Sequence, residues 1–370
     1  MNTVSVFLSD HNAGFTTVYV FCYNSYMSEI ARNRISWIRV LLCVMIVFVH
    51  SQNTDWFETS GAPWIADMED VIAKSCAYIG VSGFFFISGY LFFRNYRPQL
   101  LWNKLRKRVS SLVIPFLFWN LVTYLLYLFC SRTPGLKILF AGKDVPFSVS
   151  EVKEAILFYK YNPVFWFMQH LIFFMALTPL ISIILKKRWV SLSAALCAFA
   201  FSIYLYQRPA PDFVQLLYPY LQTFTGFLLG CHCGFHEYRL FEKDHIPWYC
   251  AILAAAFPIF MTAVFLHDGS IASLQTVRFT AGACLLFAAT AIDFPPPKNW
   301  FRYTFFIYST HQLLLSLLNK FCAVLISSNM YFGGILFCIL PAAAIFICSF
   351  AGKIIDLAFP SFARFIGISR

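Results

Sequence analysis

Residues 35–52 read Ile35-Ser36-Trp37-Ile38-Arg39-Val40-Leu41-Leu42-Cys43-Val44-Met45-Ile46-Val47-Phe48-Val49-His50-Ser51-Gln52, an apolar run interrupted by one cation and one imidazole. Its length approaches the ~20 residues that a helix needs to cross a hydrocarbon core about 30 Å thick. Backbone polar groups in lipid must pair within their own segment, so a run of this kind is helical. On a helix, eleven steps of about 100° bring His50 back to within about 20° of Arg39, and the rise between them is about 16 Å. The two residues therefore share a stripe that extends through about half of the bilayer. Charged groups at such depth cost several kcal/mol and face a bundle interior or water, which makes a functional role the default reading. A plain packing role fits the same periodicity, with Arg39 snorkelling to the interface and His50 bonding a neighbouring helix.

Outward from this segment the pattern repeats. Apolar runs lie at about 35–52, 71–93, 110–130, 163–185, 189–206, 212–231, 246–266, 270–292, 301–325 and 330–357. The reading is an all-α polytopic membrane bundle of about ten transmembrane helices. Lys and Arg concentrate in alternate loops, which places those loops in the cytoplasm. One side holds Arg32, Arg34, Arg94, Arg97, Lys104, Arg106, Lys107, Arg108, Lys186, Lys187, Arg188, Arg239, Lys243, Lys298, Arg302, Lys353, Arg364 and Arg370. The other holds only Arg132, Lys137, Lys143, Lys153, Lys160 and Arg208, and four cations (Arg39, Lys74, Arg278 and Lys320) fall inside segments. Both termini are then expected in the cytoplasm, with the acidic loop around Asp55, Glu58, Asp67, Glu69 and Asp70 and the long loop 131–162 facing outward. The domain division that follows is a cytoplasmic N-terminal extension over 1–34, a membrane domain over 35–357 and a cytoplasmic tail over 358–370. Phe15–Tyr23 is too short to span and has no basic segment before it, so it does not read as a signal peptide, and Met27 offers an alternative start.

Composition excludes several classes. Hydrophobic residues make up 59% and charged residues 12% of the 370, where soluble domains carry roughly a quarter charged residues. The 44 Phe and 19 Tyr suit lipid-facing surfaces and interfacial belts. The net charge of +11 is spread over short clusters between apolar runs, so no nucleic-acid partner is expected. Twelve Cys without extracellular spacing read as reduced core residues. Cys231-His232-Cys233 with His236 lacks a second ligand pair, and no metal is expected.

Four pieces, in order, resemble the acyltransferase-3 family of integral membrane enzymes. The first is Arg39 and His50 with ten residues between them in the opening helix, and the second is Phe84-Phe85-Phe86-Ile87-Ser88-Gly89-Tyr90-Leu91. Next come the basic run with Lys104, Lys107 and Arg108 followed by Ile114-Pro115-Phe116-Leu117-Phe118-Trp119, and then Phe305-Phe306-Ile307-Tyr308-Ser309-Thr310-His311. The likeness spans about residues 30–325, and the order of pieces is more specific than any one of them. Two positions depart from it. Trp166-Phe167-Met168-Gln169-His170-Leu171 has Gln-His where related sequences often have Arg-Asp, and Ser110 and Ser111 replace a second basic pair.

The resemblance implies an acyl-CoA co-substrate in the cytoplasm, no bound cofactor, and a carbohydrate acceptor, in the bacterial cytoplasmic (inner) membrane. Arg39, Lys107 and Arg108 would hold the donor's phosphates through charge-assisted bonds. His50 would act as general base for a sugar hydroxyl or accept the acyl group itself, acetyl being the expected one. Tyr308, His311, Gln169, His170 and Trp166 are the candidates for binding acceptor or supporting His50. A transporter of glycan, lipid or donor without chemistry is the alternative class, and paired broken helices or an internal repeat would favour it.

Overall fold

A computed structural model describes residues 27–136, 144–207, 211, 214, 216–242, 246–269 and 271–368. Phe15–Tyr23, Lys137, Lys143, Arg208, Lys243 and Arg370 lie outside the described residues. The described chain is helical, in the order α1 (Glu29–Val49), α2 (Pro63–Phe93), α3 (Leu101–Arg108), α4 (Ile114–Arg132), α5 (Val149–Leu157), α6 (Trp166–Ala176), α7 (Thr178–Ile184), α8 (Arg188–Gln207), α9 (Tyr218–Phe235), α10 (Trp248–Asp268), α11 (Ile271–Ala288), α12 (Thr304–Leu325), α13 (Met330–Ala358) and α14 (Pro360–Phe365). No β-strand occurs among the described residues.

Each of the ten apolar runs contains helix among its described residues. Five helical stretches among the described residues are long and apolar enough to cross a membrane: α2, Pro98–Arg132, α8, α10 and α13. A sixth is α6 with α7 if the bent pair is one span, its halves meeting at 60° where Thr178-Pro179 opens the second. Pro179 has no N–H to give the Met175 carbonyl, which the Thr178 hydroxyl bonds instead, so the backbone ladder is interrupted there. The chain is thus an integral membrane protein of helical architecture.

Helix boundaries differ from the apolar runs where capping and proline chemistry act. Ser28 caps α1, its side chain accepting from the Ala31 N–H, so the helix begins at Glu29 rather than 35. Pro63 at the first turn starts α2 eight residues before the apolar run at 71, so Asp67, Glu69 and Asp70 are helical and not in a loop. Pro115 removes one backbone donor and crowds the carbonyl four residues earlier, and a π-turn at Val109–Val113 absorbs the mismatch between α3 and α4. The C-terminal segment is docked on the bundle: Ala363, Ile366 and Ile368 are buried, and Trp119 Nε1 donates to the Ile366 carbonyl at 3.1 Å.

Two packing features set the site. The backbones of α2 and α9 touch, since a Cβ on Gly89 would come within 2.3 Å of the Phe227 carbonyl oxygen and one on Gly230 within 2.0 Å of that of Phe86. The Ser88-Gly89 signature is therefore a helix-packing element. The two ends of α1 are pinned differently. At its start Arg34 reaches the carbonyls of Phe241, Thr290 and Ile292, whereas just beyond its end Asn53 Nδ2 donates to the Gly333 carbonyl and Asn53 N–H to Glu69.

Candidate active site

The stripe read from the sequence is a cavity wall. Arg39, Cys43, Ile46, Val49 and His50 of α1 line a cavity of about 300 Å³. Ala77, Val81 and Phe84 of α2, Leu112 of the π-turn, Val164 and four residues of α6, and Thr304, Phe305 and Tyr308 around the start of α12 close it. The walls are mostly carbon, so a polar group placed inside meets few competitors for the Arg39 guanidinium and the His50 imidazole.

At one end stands a cationic pair. Arg39 has no hydrogen-bond or carboxylate partner among the described residues, and the charge of Arg108 is near enough to repel it. Arg108 lies 6.0 Å over the Phe92 ring, while Lys104 Nζ donates to the carbonyls of Phe92 at 2.9 Å and Arg94 at 3.1 Å. The π-turn follows Arg108 directly and brings Leu112 onto the cavity. Lys107 is exposed and does not line the cavity. Arg108 does not itself line the cavity, so the candidate anion site is Arg39 with a second guanidinium close to it.

At the other end stand two imidazoles. The rings of His50 and His311 lie 5.2 Å apart between centroids. His311 is fully buried, and its Nδ1 lies 3.0 Å from the Ile307 carbonyl oxygen and 2.8 Å from that of Tyr308. A carbonyl only accepts, so Nδ1 carries the proton and Nε2, which has no partner, offers a lone pair. Tyr308 donates its hydroxyl to the Val164 carbonyl and so ties α12 to the entry of α6. No described carboxylate pairs with His50.

The other candidates divide. Trp166 lines the cavity. Gln169 and His170 do not: Gln169 donates to the Leu157 carbonyl, and His170 is buried, with Nδ1 3.1 Å from Thr223 Oγ1 and its ring stacked on Tyr220 at 4.0 Å. The Gln-His pair thus joins α6 to α9. The acids before and within the first turns of α2 divide too. Asp55 and Asp67 are exposed and Asp70 bonds Lys74, but Glu69 is fully buried, contrary to its reading as a solvated loop acid, because α2 starts early and turns it toward Asn53. In the Cys231-His232-Cys233 stretch, which lies in the last turn of α9, His232 Nδ1 lies 2.7 Å from Ser191 Oγ, and no three metal-ligating side chains converge among the described residues.

Cys43 is the cavity residue that sequence reading passed over. Its signal was its place one turn from Arg39 on the same stripe, and its thiol is 3.6 Å from the Thr304 carbonyl oxygen. A further small cavity of about 180 Å³, lined by Tyr127, Lys160, Tyr161, Asn162 and Gln312 among others, lies beside the chain entering α6. There Lys160 and Tyr161 both hydrogen-bond Glu151 and hold its carboxyl below the usual range.

No solved structure matches the chain. The succinoglycan biosynthesis protein ExoH of Rhizobium meliloti (strain 1021) is 25% identical over 230 residues, which cover 60% of this chain and 59% of that protein. The model of the acyltransferase-3 family, described as an acyltransferase domain, matches residues 32–351, a stretch that includes Arg39, His50, Arg108, Trp166, Tyr308 and His311, and the chain belongs to that family.

Proposed function

We propose that the protein moves an acyl group, acetyl in the first instance, from cytoplasmic acyl-CoA to a hydroxyl of a cell-surface or lipid-linked glycan, in the bacterial inner membrane. The observation that carries this reading is the single cavity with Arg39 at one end and His50 at the other. In this reading both termini are cytoplasmic, about ten helices cross the bilayer, and residues 35–357 are the membrane domain between the N-terminal extension and the tail. The alternate-loop charge bias supports that orientation.

Arg39 and Arg108 take the phosphates of the donor, and Lys107 meets the same polyanion from the solvent side. The apolar walls accept the thioester arm. His50, about 16 Å along the helix from Arg39, removes the proton of the attacking hydroxyl as the carbon–oxygen ester bond forms and the carbon–sulfur bond breaks, and it returns that proton to the departing thiolate. In the covalent route the imidazole nitrogen takes the acyl group as the carbon–sulfur bond breaks and the thiol leaves with the imidazole's proton, and the acyl–nitrogen bond then breaks as the hydroxyl oxygen takes the acyl group and gives its proton to the imidazole. In both routes His311 is a positioning residue. Its bare Nε2 is offered to the His50 N–H, and a hydrogen bond formed there during the reaction would leave the other His50 nitrogen basic. Trp166 and Tyr308 shape the acceptor's approach, and Gln169 and His170 support α6 from behind.

The test is transfer itself. Purified protein in vesicles, given acetyl-CoA labelled in the acetyl group on the Arg39 side and a glycan on the other, is expected to yield glycan carrying the label in an alkali-labile ester. Label that crosses the bilayer without becoming covalently attached to glycan would establish carriage without chemistry and end the enzyme reading.

A further inference from the structure

Of the four cations inside apolar segments, three are accounted for. Arg39 serves the cavity, Lys74 is paired with Asp70 at 2.6 Å, and the Lys320 ammonium sits 5.6 Å from the centre of the Trp56 ring. Arg278 is the fourth. It lies seven residues into α11, about 10 Å from the start of the helix, and has no carboxylate partner among the described residues. A lone guanidinium at that depth is costly, and such residues mark ligand pathways by default.

Its surroundings hold it in place without neutralising it. Nη1 donates to the Tyr218 hydroxyl at 2.7 Å, and the Gln222 amide oxygen, turned to face the guanidinium, lies 2.6 Å from Nη1 and 3.1 Å from Nε. The group also sits 5.4 Å from the Tyr78 ring centre. All of these partners are neutral, the Tyr78 side chain that also hydrogen-bonds the guanidinium included. The arrangement orients a fork and preserves its charge.

Arg278 lines a second chamber of about 200 Å³, and this chamber shares Ala77, Val81 and Trp166 with the His50 cavity. The two spaces are neighbours across a partition that includes the Trp166 indole. Their chemistry differs. The second chamber carries hydroxyls of Ser82, Ser202 and Thr225, each donating to a carbonyl of its own helix, which leaves oxygen lone pairs to accept from a ligand. One fixed cation beside several acceptors suits an oxyanion flanked by sugar hydroxyls.

We propose that the Arg278 chamber is a second binding site, and that it takes a phosphate or carboxylate carried by the acceptor and thereby brings a neighbouring hydroxyl past Trp166 to His50. The proposal rests on the acyl-transfer reading for the identity of its ligand. It adds that the acceptor is anionic and that its charge is read by α11, away from the cations that hold the donor. The oxyanion has two sources, the phosphate of a lipid-linked glycan and the carboxylate of an acidic sugar.

Equilibrium binding to the purified full chain separates them and needs no turnover. One pair of probes is a short prenyl phosphate and the corresponding prenyl alcohol, and the other is a glucuronate-containing trisaccharide and its methyl ester. The wild type is expected to bind the anionic member of one pair about 10- to 100-fold more tightly, and that pair names the source. Arg278→Gln should abolish the preference, Arg278→Lys should retain part of it, and His50→Ala should retain all of it. Equal affinity of the wild type for both members of both pairs would overturn the proposal, whether or not the variants fold. So would an Arg278→Gln protein that still discriminates. Failure of acyl transfer alongside an intact, Arg278-dependent preference would count against the reaction and leave the site standing.

Discussion

Arg34 and Arg39 leave the same helix five residues apart, and the bundle treats them in opposite ways. Arg34 is 1% exposed and gives hydrogen bonds to the carbonyls of Ile292 at 3.2 Å, Phe241 at 3.1 Å and Thr290 at 3.0 Å, with Asp293 at 3.8 Å. Arg39 has no such partners and opens onto a cavity. A guanidinium whose hydrogens are spent on loop carbonyls is a fastener, and one whose hydrogens are unspent is a receptor for an anion. Net charge and neighbouring sequence do not tell them apart, but their partners do.

Breaking each side of that comparison gives the largest effects. Arg34→Ala strands three buried carbonyls at roughly 1–3 kcal/mol each, so thermal unfolding in detergent should show a severely destabilised protein or none recovered folded. Arg39→Ala removes no internal bond and should leave the unfolding midpoint near that of the wild type. It should weaken CoA binding, measured by calorimetry, by about 10- to 100-fold. Equal loss of stability in the two variants would dissolve the distinction.

A second pair of residues sharpens it. His311 presents a bare nitrogen beside His50, whereas His170 is committed to Thr223 and Tyr220. His311→Ala should lower kcat by about 100-fold or more with little change in donor KM, in keeping with the 10²–10⁴ that positioned acid–base groups supply. His170→Ala should leave transfer within about threefold and cost about 1 kcal/mol of stability from the lost aromatic contact. A larger kinetic effect at His170 than at His311 would reverse their assignments.

The smallest effect belongs to the loop side. Lys160 and Tyr161 hold the Glu151 carboxyl below its ordinary range, so its contribution to stability is present above the unfolded value and fades as pH falls through the folded one. Glu151→Gln should therefore lower the unfolding free energy at neutral pH by less than about 1 kcal/mol, and match the wild type once the pH is below the folded value. A difference that persists in acid would point to packing instead of charge.

Much of this was legible in the residues. The apolar runs gave the helical class, and the 3.6-residue period placed Arg39 and His50 on one stripe, which the cavity bears out geometrically. What periodicity could not supply was contact between distant elements. The cage around Arg34 joins residues more than 200 positions apart, so the residue read as an ordinary loop cation. Glu69 read as a solvated acid because nothing local reveals that Pro63 starts α2 early and buries the carboxyl beside Asn53. Gln169 and His170 lie three and four residues after Trp166, on the same side of α6, and the His170 ring meets the Trp166 indole at 5.2 Å between centroids, so periodicity alone does not reveal that the indole reaches the cavity while the pair bonds Leu157, Thr223 and Tyr220.

The measurement that bears most directly on the account is acyl transfer by His50→Ala at saturating donor, with CoA affinity determined on the same preparation. The account predicts transfer reduced by at least about 100-fold, within the range assigned to a positioned general base, and CoA affinity unchanged because Arg39 and Arg108 remain. Transfer that persists near the wild-type rate in a folded His50→Ala protein would contradict it.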